Sequence, residues 1–210
     1  MSREVAGIIL AGGQSRRMGG GDKSLLVLGD GSVLDHVVAR FAPQVGHLVL
    51  NANGDPTRFA EVELTVLADT VTGFAGPLAG ILTGLEWAAA HKASTALATA
   101  AGDTPFLPKN LVERLATAVE ESPSAIAVAR SGGKRHPTFA LWPTDLRDAL
   151  RHFLVDENNR RVSAFIDRHE FVEVEFPLLA AGGQEIDPFF NINTPDDLAE
   201  AERLLQSMTP

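Results

Sequence analysis

The chain contains no cysteine, which excludes disulfides, thiolate nucleophiles and zinc–sulfur centres. Basic charge is also scarce. Lys and Arg total 18 against 27 Asp and Glu, a net charge of −9. A chain this acidic is not built to coat nucleic acid by charge, because phosphate binding needs a basic face. No stretch approaches the roughly 18 consecutive apolar residues of a membrane span. The opening Met1-Ser2-Arg3-Glu4 runs straight into a short apolar segment, without the charged and apolar regions and cleavage site of a signal peptide. No nucleic acid or membrane partner is expected, and the expected location is the cytoplasm. Internal repeats, low-complexity tracts and linker-like stretches are missing too, so residues 1–210 are expected to form one domain. What is present is ordinary globular usage: 45% hydrophobic and 21% charged residues in 22.3 kDa.

Short apolar runs alternate with segments of helical period. Val5 to Leu10, Leu48 to Leu50, Leu64 to Leu67, Ala96 to Ala101 and Ala125 to Ala129 read as buried strands. Between them, Leu34, Val37, Val38 and Phe41 form a helical stripe behind a possible Ser32/Asp35 capping box. Leu78, Ile81, Leu82 and Leu85 repeat it after Pro77, and Leu111, Val112, Leu115 and Val119 after Pro108. Alternating strand and helix predicts a mostly parallel sheet with helices on both faces. His136 to Trp142 and Phe171 to Phe176 alternate more, as strands with one wet face do. Thr194-Pro195-Asp196-Asp197 marks the start of a last helix reaching about Leu205, with Thr194 as N-cap and Asp197 reaching back. Trp87 and Trp142 fall in apolar periodic stretches and are expected in the core.

The most informative segment follows the first strand. Between Leu10 and Lys23, fourteen residues hold five glycines, Arg16, Arg17 and Lys23. Glycines let a backbone approach a ligand closely, and inward-turned N–H groups make an anion nest. Fixed positive charge concentrated there, in an otherwise acidic chain, points to a polyphosphate. A P-loop is excluded because Asp22, not Gly, precedes the lysine, and no G-x-G-x-x-G spacing occurs. Asp69 and Asp103 each follow an apolar run and are expected at carboxyl ends of parallel strands, the edge where open α/β sheets bind ligands. A hard cation such as Mg²⁺ takes one or two such carboxylates and completes its shell with water and phosphate oxygens. Purely structural explanations stay open: Asp103 and Asp69 as turn formers, Asn51 as a strand terminator, Lys23 as a solvated loop lysine.

The string Leu10-Ala11-Gly12-Gly13-x-Ser15-x-Arg17-Met18-Gly19-x-x-Asp22-Lys23 resembles the opening signature of the nucleotidyltransferases. Within that superfamily the chain is most similar to the molybdenum cofactor guanylyltransferases. Asn51-Ala52-Asn53, Gly76-Pro77-Leu78-Ala79-Gly80, Gly102-Asp103-Thr104-Pro105, His136-Pro137-Thr138 and Asn191-Ile192-Asn193-Thr194-Pro195 follow in the family's order across nearly the whole chain. A cytidylyl relative usually carries Leu-Ala-Ala-Gly at the first strand and lacks the Gly-Pro-Leu-Ala-Gly segment, so guanine is favoured.

The resemblance implies a three-layer α/β/α fold with a Rossmann-like nucleotidyltransferase sheet, its nucleotide half at about 1–107 and its acceptor half at about 108–210. It implies Mg²⁺-assisted transfer of GMP from GTP to the phosphate of molybdopterin, with pyrophosphate leaving. Arg17, Lys23 and Asp103 would be catalytic, Asp103 also holding the metal. Leu10, Ala11, Gly12, Gly13, Lys23, Asn51, Asp69 and Asp103 would line the nucleotide and metal site. Handover to cofactor-biosynthesis and acceptor proteins is the further implied partnership. A phosphomonoester nucleophile has a second pKa of about 6 and needs no strong base, so alignment and charge neutralisation carry the catalysis. For the acceptor, Lys134-Arg135-His136, Arg160-Arg161 and Asn191-x-Asn193 are candidates, whereas Asp187-Pro188-Phe189-Phe190 reads as a core edge. The competing functions are a cytidylyl- or other nucleotidyltransferase on a different phosphorylated acceptor, and a GTP-binding adaptor that performs no chemistry.

Overall fold

The computed structural model describes residues 5–12, 22–73, 76–90, 94–181 and 183–208. Its centre is a sheet of β1 (Ala6–Leu10), β4 (His47–Asn51), β5 (Thr65–Leu67), β6 (Ala96–Ala101), β7 (Ile126–Ser131), β8 (Lys134–Pro143) and β9 (Phe171–Glu175). Their order is β5-β4-β1-β6-β8-β7-β9. All neighbours pair in parallel except β8, which runs antiparallel to both β6 and β7. The apolar runs of β1 and β6 are buried on both faces, as parallel central strands require. The expected mostly parallel sheet with helices on both sides is therefore the fold observed.

One face packs α1 (Val33–Phe41) and α3 (Leu111–Ala118) through Leu34, Val37, Phe41, Leu111 and Leu115. The other packs α2 (Pro77–Ala90), α4 (Arg147–Val155) and α5 (Val162–Ile166) through Leu82, Leu85, Leu150, Phe153 and Phe165. Helix α1 opens with the expected capping box: Ser32 accepts from the Asp35 amide and the Asp35 side chain accepts from the Ser32 amide. Trp142 is fully buried beneath α5, and its indole N–H donates to Thr99 Oγ1 at 3.1 Å, whereas Trp87 is only half-buried.

A third, smaller cluster forms beyond the carboxyl edge of the sheet. It joins the hairpin β2 (Val27–Leu28) and β3 (Gly31–Ser32) to α6 (Pro195–Met208) through Leu28, Val33, Phe106, Ile186, Ile192, Ala201 and Leu204. A second hairpin, β10 (Leu179–Ala181) with β11 (Gln184–Ile186), lies at its margin. Neither hairpin has a strong period in sequence, because each strand is only two or three residues long.

Candidate active site

Register aligns the candidate residues. Leu67, Asn51, Leu10 and Ala101 stand opposite one another across β5, β4, β1 and β6. Asp69, Asn53, Gly12 and Asp103 each lie two residues past that line, at the carboxyl edge. Strand order reverses between β4 and β6 on either side of β1, the topological position where open α/β sheets bind ligands.

On the β4 side the polar groups lock together. Asn51, 3% exposed, donates from Nδ2 to Asp69 Oδ1 at 2.9 Å and to the Leu67 carbonyl at 3.2 Å. Asn53 donates to Asp69 Oδ2 at 2.8 Å and accepts the Asp69 amide at 2.9 Å. Both carboxylate oxygens of Asp69 are thus held by neutral amides. The Ala11 amide donates to the Asn51 carbonyl at 2.9 Å, so the first residue beyond β1 is fixed while Gly12 stays exposed. Leu10 is half-buried at the strand end. Helix α2 presses against this cluster at Gly80, where an added Cβ would lie 2.2 Å from Asn51 Oδ1 and 2.8 Å from Leu10 Cδ2. The Gly-Pro-Leu-Ala-Gly segment therefore seats the helix on the asparagine.

On the β6 side, Asp103 is half-buried on the turn after the strand. Burial pushes its carboxyl above the ordinary carboxylate range, opposed by the charge of Lys23 and a hydrogen bond from the Thr104 hydroxyl. Lys23 Nζ donates to Asn193 Oδ1 at 2.9 Å. The Asn191–Asn193 segment runs alongside: the Ile192 amide donates to the Asp103 carbonyl at 2.9 Å, and the one proton of the Thr104 hydroxyl is shared between Asp103 Oδ1 at 3.4 Å and Asn191 Oδ1 at 3.1 Å. The expected α6 cap holds this segment, since Asp197 Oδ2 accepts the Asn193 and Thr194 amides at 2.8 Å each. Lys23, Asp103, Asn191 and Asn193, drawn from both halves of the chain, are brought together. Ser24, next to Lys23, keeps a buried hydroxyl with no hydrogen-bond partner among the described residues.

Gly13, Arg16 and Arg17 lie outside the described residues. Of the acceptor candidates, Arg135 is committed to Asp167 at 2.6 Å and Glu173 at 2.9 Å. Arg160 reaches the Gly73 carbonyl at 3.5 Å. His136 turns inward: its Nε2 is 2.7 Å from Ser131 Oγ, which donates to Asp187 Oδ1 at 2.6 Å. A hydroxyl has one proton to give, so Nε2 carries the histidine proton and donates to Ser131. Burial lowers the His136 pKa, with Asp187 acting against it. Asp187 therefore does more than edge the core, while Phe189 beside it is 2% exposed, as expected of a core residue.

Two participants have no role assigned from sequence, although Asn53 lies in the Asn51-Ala52-Asn53 motif. Asn53 repeats Asn51 at i+2, the spacing that keeps two side chains on one face, and that signal was available. Arg58 was not signalled: from a short 3₁₀ turn it pairs with Asp22 at 3.0 Å and donates to the Asn53 carbonyl, tying the end of the Gly-rich segment to β4. No group of three or more metal-ligating side chains converges among the described residues. No helix among them is long and apolar enough to cross a membrane.

The MobA-like NTP transferase domain matches residues 7–172. The chain is 70% identical over 209 residues to a molybdenum cofactor guanylyltransferase of Mesorhizobium japonicum, covering 100% of both chains. It is 52% identical to one from a Bradyrhizobium species, over 95% of this chain and 92% of that one. In structure it resembles the molybdopterin-guanine dinucleotide biosynthesis protein A of Archaeoglobus fulgidus, with TM-score 0.74, 22% identity, and 97% and 100% of the two chains covered. The family match over this sheet and its edge thus defines an α/β protein of the NTP transferase class. More narrowly, the chain belongs to the MobA-like NTP transferase family.

Proposed function

We propose that this protein transfers GMP from GTP to the terminal phosphate of molybdopterin, giving the guanine dinucleotide form of the cofactor and pyrophosphate. The names of its relatives and the length of the match support this reading. The observation that carries it is the junction of Lys23 with Asn193 and of the Asp103 turn with Asn191 and Ile192, where a cation, a carboxylate and the second half of the chain meet at one sheet edge.

In this reading a phosphate oxygen of the acceptor attacks the α-phosphorus of GTP. The new P–O bond forms as the bond to the β-phosphate breaks, and both electrons of that bond leave with pyrophosphate. Lys23, with Arg17 from the Gly-rich segment, offsets the negative charge that opposes this approach. Gly12 and the Ala11 backbone give the nucleotide close access, and the Asn51–Asp69–Asn53 cluster forms a rigid polar wall against which it is oriented. Asn191 and Asn193 face the acceptor with paired donors and acceptors. Lys23 would contact phosphate from its Asn193 tether, which limits its motion before the ligand arrives. The orphaned Ser24 hydroxyl fits a site whose hydrogen bonding is completed by ligand.

Asp103 fits a magnesium ion: it is a hard oxygen donor, and the Thr104 hydroxyl lies a long 3.4 Å from its Oδ1. One protein carboxylate suffices, since waters and phosphates supply the other ligands. Bound there, Mg²⁺ would supply further neutralisation of phosphate charge.

The test is release of pyrophosphate from GTP in the presence of molybdopterin, compared with CTP. With molybdopterin present, release from GTP and not from CTP is expected, falling roughly 10²–10³-fold in Lys23→Ala. GTP binding without release would favour an adaptor, and preference for CTP would reverse the base assignment.

A further inference from the structure

On the face of the sheet covered by α1 and α3 lies a cavity of about 270 Å³, closed by the segment following β9. Arg40, Lys109 and Arg114 line it, with Phe106 and Phe176 as walls and Asn110 at its rim, and no acidic side chain contributes. In a chain of net charge −9 this is unusual. Arg58, Arg130, Arg135, Arg147, Arg151, Arg168 and Arg203 all have carboxylate partners. Arg40 and Arg114 make no ion pair among the described residues; their contacts are to backbone and ring. Arg40 donates to the Leu107 carbonyl at 3.4 Å and Arg114 to the Glu175 carbonyl at 2.9 Å. The Arg114 guanidinium also lies 4.8 Å from the Phe176 ring centroid. These contacts hold both guanidinium groups without neutralising them. Burial lowers the Arg40 pKa, the mark of a charge kept in partly dry surroundings without a counter-ion.

We propose that this cavity is a second anion site, distinct from the candidate active site, for a small phosphate-bearing molecule. Fixed guanidinium forks match phosphate oxygens in pairs, and three positive groups without a carboxylate suit a multiply charged anion. The volume lies just below the roughly 300–1,000 Å³ usual for small-molecule sites, so it takes a compact ligand rather than a dinucleotide. The lining residues Phe106, Pro108, Lys109 and Asn110 continue the turn that carries Asp103, so a bound anion would rest on the same segment of chain.

The probe is inorganic pyrophosphate, titrated by calorimetry into Lys23→Ala protein so that binding at the candidate active site is weakened. Binding is expected to persist, to weaken with added salt, and to fall about tenfold or more when Lys109→Gln and Arg114→Gln are added. Lys109→Gln alone, at an exposed position, should give a smaller loss in the same direction and guards against misfolding of the double change. With Lys23 intact, the Lys109→Gln/Arg114→Gln protein should keep turnover within about twofold of the parent. Absence of binding in Lys23→Ala, or binding indifferent to the changes at 109 and 114, overturns the proposal. Turnover lost in step with pyrophosphate binding also overturns it, because the cavity would then belong to the active site.

Discussion

Gly80 and Asp103 show how single atoms set the candidate site. A methyl group at Gly80 meets the Asn51 amide, which already holds Asp69, so it must displace a bonded group. Overpacking of this kind costs about 1–3 kcal/mol, against about 1 kcal/mol gained from alanine's helix propensity. Gly80→Ala is therefore expected to lower the melting temperature slightly while weakening GTP binding far more, as read by parallel thermal and nucleotide titrations. Asp103 carries the opposite balance. Its folded pKa lies above the ordinary 3.8, so the folded state holds its proton more tightly than the unfolded chain. Stability on this account falls as pH rises from 3.8 through the raised folded value. Asp103→Asn keeps the shape and removes the charge. In EDTA at neutral pH it should melt no lower than the parent, while pyrophosphate release drops by about 10² or more. A large fall in melting temperature would show that the carboxylate is structural.

At the scale of elements, the caps and helix starts were legible because their signals are local. Ser32 with Asp35, Pro77, and Thr194 with Asp197 each act within four residues, and each appears where the spacing predicts. Helix α6 does more than end the chain, because its cap holds the segment that tethers Lys23. Burial works to raise the Asp197 pKa, but the amides of Asn193 and Thr194, the Thr194 hydroxyl and the charge of Lys23 outweigh it and the net shift is downward. Its stabilisation is therefore present above pH 3.8 and lost as pH falls through the depressed value. Asp197→Ala should lower the melting temperature at neutral pH, with the gap to the parent closing in stronger acid. Elements without a local signal went unread. The paired strands of β2–β3 and β10–β11 are too short to show a period, and α5 is a five-residue turn stabilised by packing Phe165 and Ile166 beneath β8.

For the whole molecule, the expectation is linkage between ligand and fold. A nucleotide that binds only the native state stabilises it by about 2.7 kcal/mol at a hundredfold excess over Kd. The melting temperature should therefore climb steadily with GTP and Mg²⁺, and less with CTP; equal shifts would remove the base preference. The sequence by itself determined the alternating architecture, the edge on which its motifs fall, and the residue types available there. Those follow from hydrophobic period and strand polarity, which every stretch of ten or so residues carries. Only the tertiary structure decided that Asp69 is held by two asparagines, that Lys23 reaches Asn193 across 170 positions, and that Arg135 is spent on ion pairs. Such partners depend on the register of β5, β4, β1 and β6 and on how α6 packs, and contacts between distant segments leave no periodic trace in a single chain.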